Sequence, residues 1–217
     1  MALNINKGGR INITKEAPKL KVAGIGLGWE PNMQPNGPDF DLDVSAFLLT
    51  TAGKIPIDNQ GNSVDSYVVF YGSELKVDTQ QGQRPYSGDG SVVGAVDAID
   101  GTESDGADDE DMRIYFDKVW EGIEQIVITV SITKYPNDSK RDKRTLLQNF
   151  GMVNDCYIRV WDDESGTEIL RYNLSEQFFN EDAVEFGRFV RINGAWEFIA
   201  TGNKYTGGLA KLIELYA

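Results

Sequence analysis

Asn193-Gly194 lies between two runs rich in β-branched and aromatic residues, Val184 to Ile192 and Trp196 to Thr201. This dipeptide adopts the positive φ angles of a two-residue hairpin turn at little cost, so it ties its flanking runs into an antiparallel pair. The same punctuation recurs along the chain. Cys156 to Trp161 and Glu168 to Leu174 flank the hairpin loop Asp162-Asp163-Glu164-Ser165-Gly166. Met112 to Phe116 and Ile126 to Ile132 read as a pair joined through Glu121-Gly122. Leu20 to Trp29, Phe40 to Leu49 and Ser66 to Tyr71 are further strand windows, the first spaced by glycines. Many short strands with turns between them predict a mostly all-β chain, a two-sheet β-sandwich with one or two short helices. The helices are expected at Leu209 to Tyr216, after Gly207-Gly208, and as a short basic helix over Lys140 to Asn149. Asp58 to Asn62 and Thr79 to Gly90 are polar loops. Neither a repeat nor a linker divides the chain, so residues 1–217 are expected to form a single domain. That length buries a core without disulfide or metal staples.

Histidine is absent. This excludes Ser-His-Asp and Cys-His catalysis and the usual zinc and copper sites. Cys156 stands alone, so no intrachain disulfide forms, and its strand context predicts a small buried hydrophobe. The net charge of -13 disfavours nucleic acid, whose phosphates reward a basic surface, and favours divalent metals and cationic partners. The opening residues lack the apolar core of a signal peptide, and no run reaches the ~20 apolar residues of a membrane span. A cytoplasmic location is expected.

The negative charge is clustered. Asp97, Asp100, Glu103, Asp105, Asp108, Asp109, Glu110 and Asp111 fall in one short stretch with no Lys or Arg among them. Gly101 and Gly106 allow the backbone to fold tightly there. So many like charges repel unless a cation sits between them, and calcium takes six to eight oxygens of this kind. A solvated acidic loop is the alternative. A second group lies in Phe40-Asp41-Leu42-Asp43-Val44, where alternation puts Asp41 and Asp43 on one face and turns Leu42 and Val44 to the core. Two carboxylates on one strand face are costly unless water, a cation or a basic side chain compensates. Neither stretch matches an EF-hand register, so a calcium site would be assembled from separated segments.

These segments resemble the TerD family of tellurium-resistance and stress-response proteins. The likeness is carried by Lys7-Gly8-Gly9, Thr14-Lys15-Glu16-Ala17-Pro18, Gly26-Leu27-Gly28-Trp29 and above all Asp39 to Leu49. Phe150 to Asn154, Tyr157 to Val160, Arg171 to Glu176, Gly194 to Phe198 and Tyr205 to Leu209 complete it nearly end to end. The resemblance implies a β-sandwich that binds Ca2+ through aspartates, without enzymatic activity. It further implies resistance to tellurite and other chemical stress, in complexes with protein partners, among them an integral membrane protein, at the inner face of the membrane. The metal ligands it implies are Asp41, Asp43, Asp97, Asp105, Asp108, Asp109 and Glu110. The family pattern fits Asp41, Asp43, Asp108 and Asp109 more closely than Asp97, Asp100 or Asp105, because Ile99 to Ala107 is longer than the family loop and lacks its Asn.

Two other readings of the acidic cluster stand beside this one: a calcium-dependent module for a ligand such as a glycan, and a metal-dependent hydrolase, which needs an open metal position and a placed base. Lys140-Arg141-Asp142-Lys143-Arg144 is a basic patch open to anionic lipid at the membrane periphery or an acidic partner, or a solvated helix face. Gly24, Gly26 and Gly28 do not form a phosphate loop. Trp29, Trp120, Trp161 and Trp196 are expected in core or hairpin packing. A tellurium oxyanion would be repelled by so acidic a surface, so any role in resistance is expected to be indirect.

Overall fold

A computed structural model describes residues 2–98, 108–174 and 177–217. Two sheets stack face to face. The first runs, edge to edge, β1 (Leu3–Asn4), β12 (Glu168–Asn173), β11 (Tyr157–Asp162), β3 (Val22–Gly28), β9 (Glu110–Tyr115) and β8 (Val92–Val93). The second runs β2 (Arg10–Asn12), β14 (Ala195–Tyr205), β13 (Ala183–Ile192), β10 (Gln125–Ile132), β4 (Leu42–Leu49) and β5 (Val68–Val69). A separate hairpin is formed by β6 (Lys76–Thr79) and β7 (Gly82–Pro85). Helix α1 (Ile13–Glu16) is a single turn, and α2 (Gly208–Tyr216) ends the described chain.

Alternation builds the core. Ala23, Ile25 and Leu27 of β3 and Leu42, Val44, Ala46 and Leu48 of β4 point into the space between the sheets. The opposite face of β4 carries Phe47 and Leu49 into a second cluster beneath α2, where the Phe47 and Tyr216 rings lie 4.9 Å apart. Tyr216 also donates its hydroxyl to the fully buried Glu185 at 2.9 Å, and Arg188 completes that carboxylate's charge pairing. α2 is thus held by ring packing and by the need to satisfy a buried acid.

On the outer face of the first sheet, the glycine spacing of β3 acquires a purpose. A Cβ built on Gly24 would lie 2.0 Å from the Trp161 ring, and one on Gly28 2.4 Å from the Tyr157 ring. The aromatics of β11 therefore lie flat over bare backbone. The Arg159 guanidinium stands 4.5 Å from the Trp161 ring centroid and Arg113 stands 5.0 Å from it.

The sandwich, the Asn193-Gly194 hairpin, the β11–β12 hairpin and α2 follow the sequence expectations. Four expectations are corrected. Met112 to Phe116 and Ile126 to Ile132 do not pair. β9 lies in the first sheet and β10 in the second, because both edges of β10 are taken by β4 and β13. Lys140 to Asn149 forms no α-helix but a 3₁₀ turn over Lys143–Leu147, capped by the Asp142 side chain. That segment has no apolar stripe to bury, and short helices gain their stability from such packing. Thr79 to Gly90, expected as loop, contains β7, whose polar residues pair backbone to backbone without contributing an apolar face. Trp120 is 46% exposed and lies over Gly122 in the crossover rather than in the core.

Gly24→Ala is expected to lower stability by about 1–3 kcal/mol in urea unfolding, through overpacking against Trp161. The cost should shrink markedly in a Trp161→Val background, where the Cβ has room.

Candidate metal centre

The eight-residue register of β4 against β10 pairs Asp43 with Ser131 and Leu42 with Ile132. One step further, the Thr133 N–H donates to the Asp41 carbonyl at 2.8 Å. This ladder places Asp41 and Asp43 at one end of the second sheet with their carboxylates on the same side, as alternation predicts. Both are buried, at 5% and 1% exposure. The chain after β8 then brings in Asp97. Carboxylate oxygens of Asp41, Asp43 and Asp97 all lie within 4.8 Å of one another.

Hydroxyls and amides surround the acids. Tyr135 donates its hydroxyl to Asp41 Oδ2 at 2.9 Å, and Thr133 donates its hydroxyl to Asp43 Oδ2. Arg141 stacks over the Tyr135 ring at 4.3 Å. Gln148 donates to the carbonyls of Pro38 and Asp39 at 2.9 and 2.8 Å, which anchors the approach to Asp41. Behind the cluster, Glu110 crosses between the sheets. It accepts the Val44 N–H at 2.7 Å and the Ala98 N–H at 3.3 Å.

Among the described residues no Lys or Arg forms an ion pair with Asp43, Asp97 or Glu110. The electrostatic consequence is direct. Burial, opposed by the Thr133 hydroxyl and reinforced by Asp41 and Asp97, pushes the Asp43 carboxyl up to about 8. Burial first, then the charge of Asp43, raises Glu110 well above the ordinary carboxylate range, although the two amides pull it down. Tyr71 and Tyr135 are also raised, by burial first, and they keep their protons at neutral pH. Without a cation, the pocket therefore favours the protonated forms of Asp43 and Glu110.

The remaining sequence candidates go elsewhere. Asp108 turns to the outer face of the first sheet, over Gly26. There Arg159 Nε donates to its two oxygens at 2.8 and 2.9 Å, and Tyr157 donates at 3.1 Å. Asp109 folds back along β3 and accepts the Trp29 N–H at 3.0 Å. Asp105, with Asp100 and Glu103, lies outside the described residues. Asp97, which fits the family pattern less closely, joins Asp41 and Asp43, whereas Asp108, which fits it better, does not. Thr133 and Tyr135 were not singled out from sequence. Their signal was the continued alternation past Ile132, which carries meaning only once β10 is set beside β4.

The family model described as the TerD domain matches residues 1–216. The chain belongs to the TerD family. It is 38% identical over 216 residues to a protein named tellurium resistance protein TerD from Alcaligenes sp, a match covering 100% of this chain and 97% of that one. It is 34% identical to general stress protein 16U of Bacillus subtilis (strain 168), with 100% and 97% covered. A crystal structure titled a homologue of telluride resistance protein (TerD) from Streptomyces coelicolor A3(2) superposes with a TM-score of 0.63. It is 19% identical, with 91% of this chain and 98% of that chain covered, so it shows the shared TerD-family fold.

The donor set fits a hard cation. The three carboxylates offer oxygen donors, and their spacing suits one shared ion. In chelator-treated protein, folding holds a proton on Asp43 that the unfolded chain releases. The contribution of Asp43 to stability is therefore fully present below the ordinary value of 3.8 and is lost as pH rises towards about 8. Urea unfolding of the protein and of Asp43→Asn across that window should show this loss as the difference between the two. Asp43→Asn should flatten it by about 1–3 kcal/mol.

Proposed function

We propose that this TerD-family chain is a non-enzymatic stress-resistance protein whose Asp41–Asp43–Asp97 cluster binds calcium. The observation that carries the reading is the convergence of three carboxylates, two of them buried, at the end of a well-registered strand pair. Such a cluster is costly by itself and becomes favourable with a divalent ion. When bound, the ion neutralises the repulsion among the carboxylates. Asp41 and Asp43 hold it from β4, and Asp97 ties the acidic segment to the sheet. Glu110 bonds to both regions at once. Calcium is favoured over magnesium because side chains from separated segments suit its larger and more variable coordination shell.

The stress-resistance role is supported by the names of the full-length relatives, tellurium resistance and general stress proteins. The raised Tyr135 hydroxyl serves as a donor to Asp41 rather than as a base, which supports a binding role over hydrolysis. Among the described residues no helix is long and apolar enough to cross a membrane. A scaffold or sensor in the cytoplasm, joined to a membrane-associated complex through protein partners, accords with that. Resistance would then be indirect, since an acidic site repels oxyanions.

Calorimetry of stripped protein should show calcium binding that magnesium does not reproduce and that Asp41→Asn or Asp43→Asn abolishes. Asp108→Asn should keep calcium affinity within about twofold, while losing about 1–3 kcal/mol of stability through its broken pairing with Arg159. Loss of calcium binding in Asp108→Asn alone would instead move the centre onto the acidic segment.

A further inference from the structure

Between α2 and the chain following β5 lies a cavity of about 530 Å3. None of its lining residues belongs to the carboxylate cluster. Ile55, Val68, Phe70, Leu75 and Ile213 give it an apolar side, and serines and Tyr86 line part of the remainder. That volume and lining are typical of sites for small organic molecules.

The walls are preformed. The Ile55 N–H donates to the Tyr216 carbonyl at 2.7 Å, which straps the end of α2 to the chain beyond β4. Ser73 Oγ accepts the Phe70 N–H and donates to the Val68 carbonyl, both at 3.0 Å, and so closes the turn after β5. A Cβ on Gly72 would lie 2.5 Å from the Phe70 ring, so only glycine lets that ring fold back as cavity wall.

Two carboxylates, Asp65 and Glu74, also line the cavity and are exposed. Among the described residues neither forms an ion pair or a side-chain hydrogen bond. Lys54 lies beside the wall residue Ala217, its ammonium donating to the carbonyls of Leu215 and Ala217 at 3.0 and 2.9 Å. A partly apolar chamber with two carboxylates against one ammonium at its rim, on a chain of net charge -13, selects against anions. We propose that this cavity binds an organic cation with an apolar body. The ring or alkyl part fills the space among Phe70, Leu75 and Ile213, and the ammonium sits between Asp65 and Glu74. The proposal is independent of the calcium reading.

The test is a titration of 15N-labelled, calcium-saturated protein with 2-phenylethylammonium and, in parallel, with its neutral analogue 2-phenylethanol. Calcium saturation keeps the ammonium from competing at the metal cluster. Saturable shifts are expected at the amides of Phe70, Leu75 and Ile213, with the cation bound about fivefold more tightly than the alcohol. The pair Asp65→Asn and Glu74→Gln should reduce the cation to the affinity of the alcohol. Ile213→Trp should fill the space and remove the shifts with both probes, and Leu75→Trp provides a second blocking variant should the first fail to fold. Equal affinity for the two probes, or a preference that survives loss of both carboxylates, would overturn the proposal. So would shifts confined to other regions, or none that saturate by roughly 20 mM.

Discussion

The register between β4 and β10 is the constraint on which the remaining structure depends. Because side chains alternate, the pairing that buries Leu42, Val44, Ala46 and Leu48 between the sheets also sends Asp43, Phe47 and Leu49 to the other face. A slip of one residue would drive Asp43 into the apolar core and expose four core side chains. Burial at roughly 25 cal/mol per Å2 of apolar surface outweighs the cost of placing two aspartates at the sheet's end, so the register holds with the acids in place. The carboxylate cluster is a by-product of a hydrophobic decision.

Asp108, Asp109 and Glu110 show how consecutive like charges are reconciled with a compact fold. They diverge to three environments: Asp108 to Arg159, Asp109 to the Trp29 amide, and Glu110 to the amides of Val44 and Ala98. The first is neutralised by a charge and the second held by a backbone donor. The third also has backbone donors but is buried and close enough to Asp43 for that charge to raise its proton affinity further. Separation relieves most of the repulsion, and the remainder gathers where Asp41, Asp43 and Asp97 meet.

The two outer faces of the sandwich are finished by different physics. The second sheet is covered by α2, whose Leu212 and Tyr216 extend an apolar cluster over Phe47 and Leu49. The first sheet has flat aromatics and guanidinium groups laid over the glycines of β3. One face gains from removing apolar area from water. The other gains from close packing and cation–π contact at a partly solvated surface.

Alternation and turn chemistry alone determined that the chain is a β-sandwich, that Asn193-Gly194 and the loop after Trp161 are hairpins, and that Asp41 and Asp43 share a face. These are local properties, set by the two-residue period of a strand and by residues that tolerate positive φ. Resemblance of scattered motifs added the family and its expected cation. Tertiary structure decided the rest. It put β9 and β10 in different sheets, because strand partners are chosen by competition for open edges rather than by proximity in sequence. It drew Asp97 into the cluster and sent Asp108 to Arg159, because a carboxylate's partner depends on which strands lie beside it. It recruited Thr133 and Tyr135, whose side chains gain a role only through the neighbouring strand. Which face a residue occupies can be read from its own segment, but what it meets there is a long-range property of the folded chain.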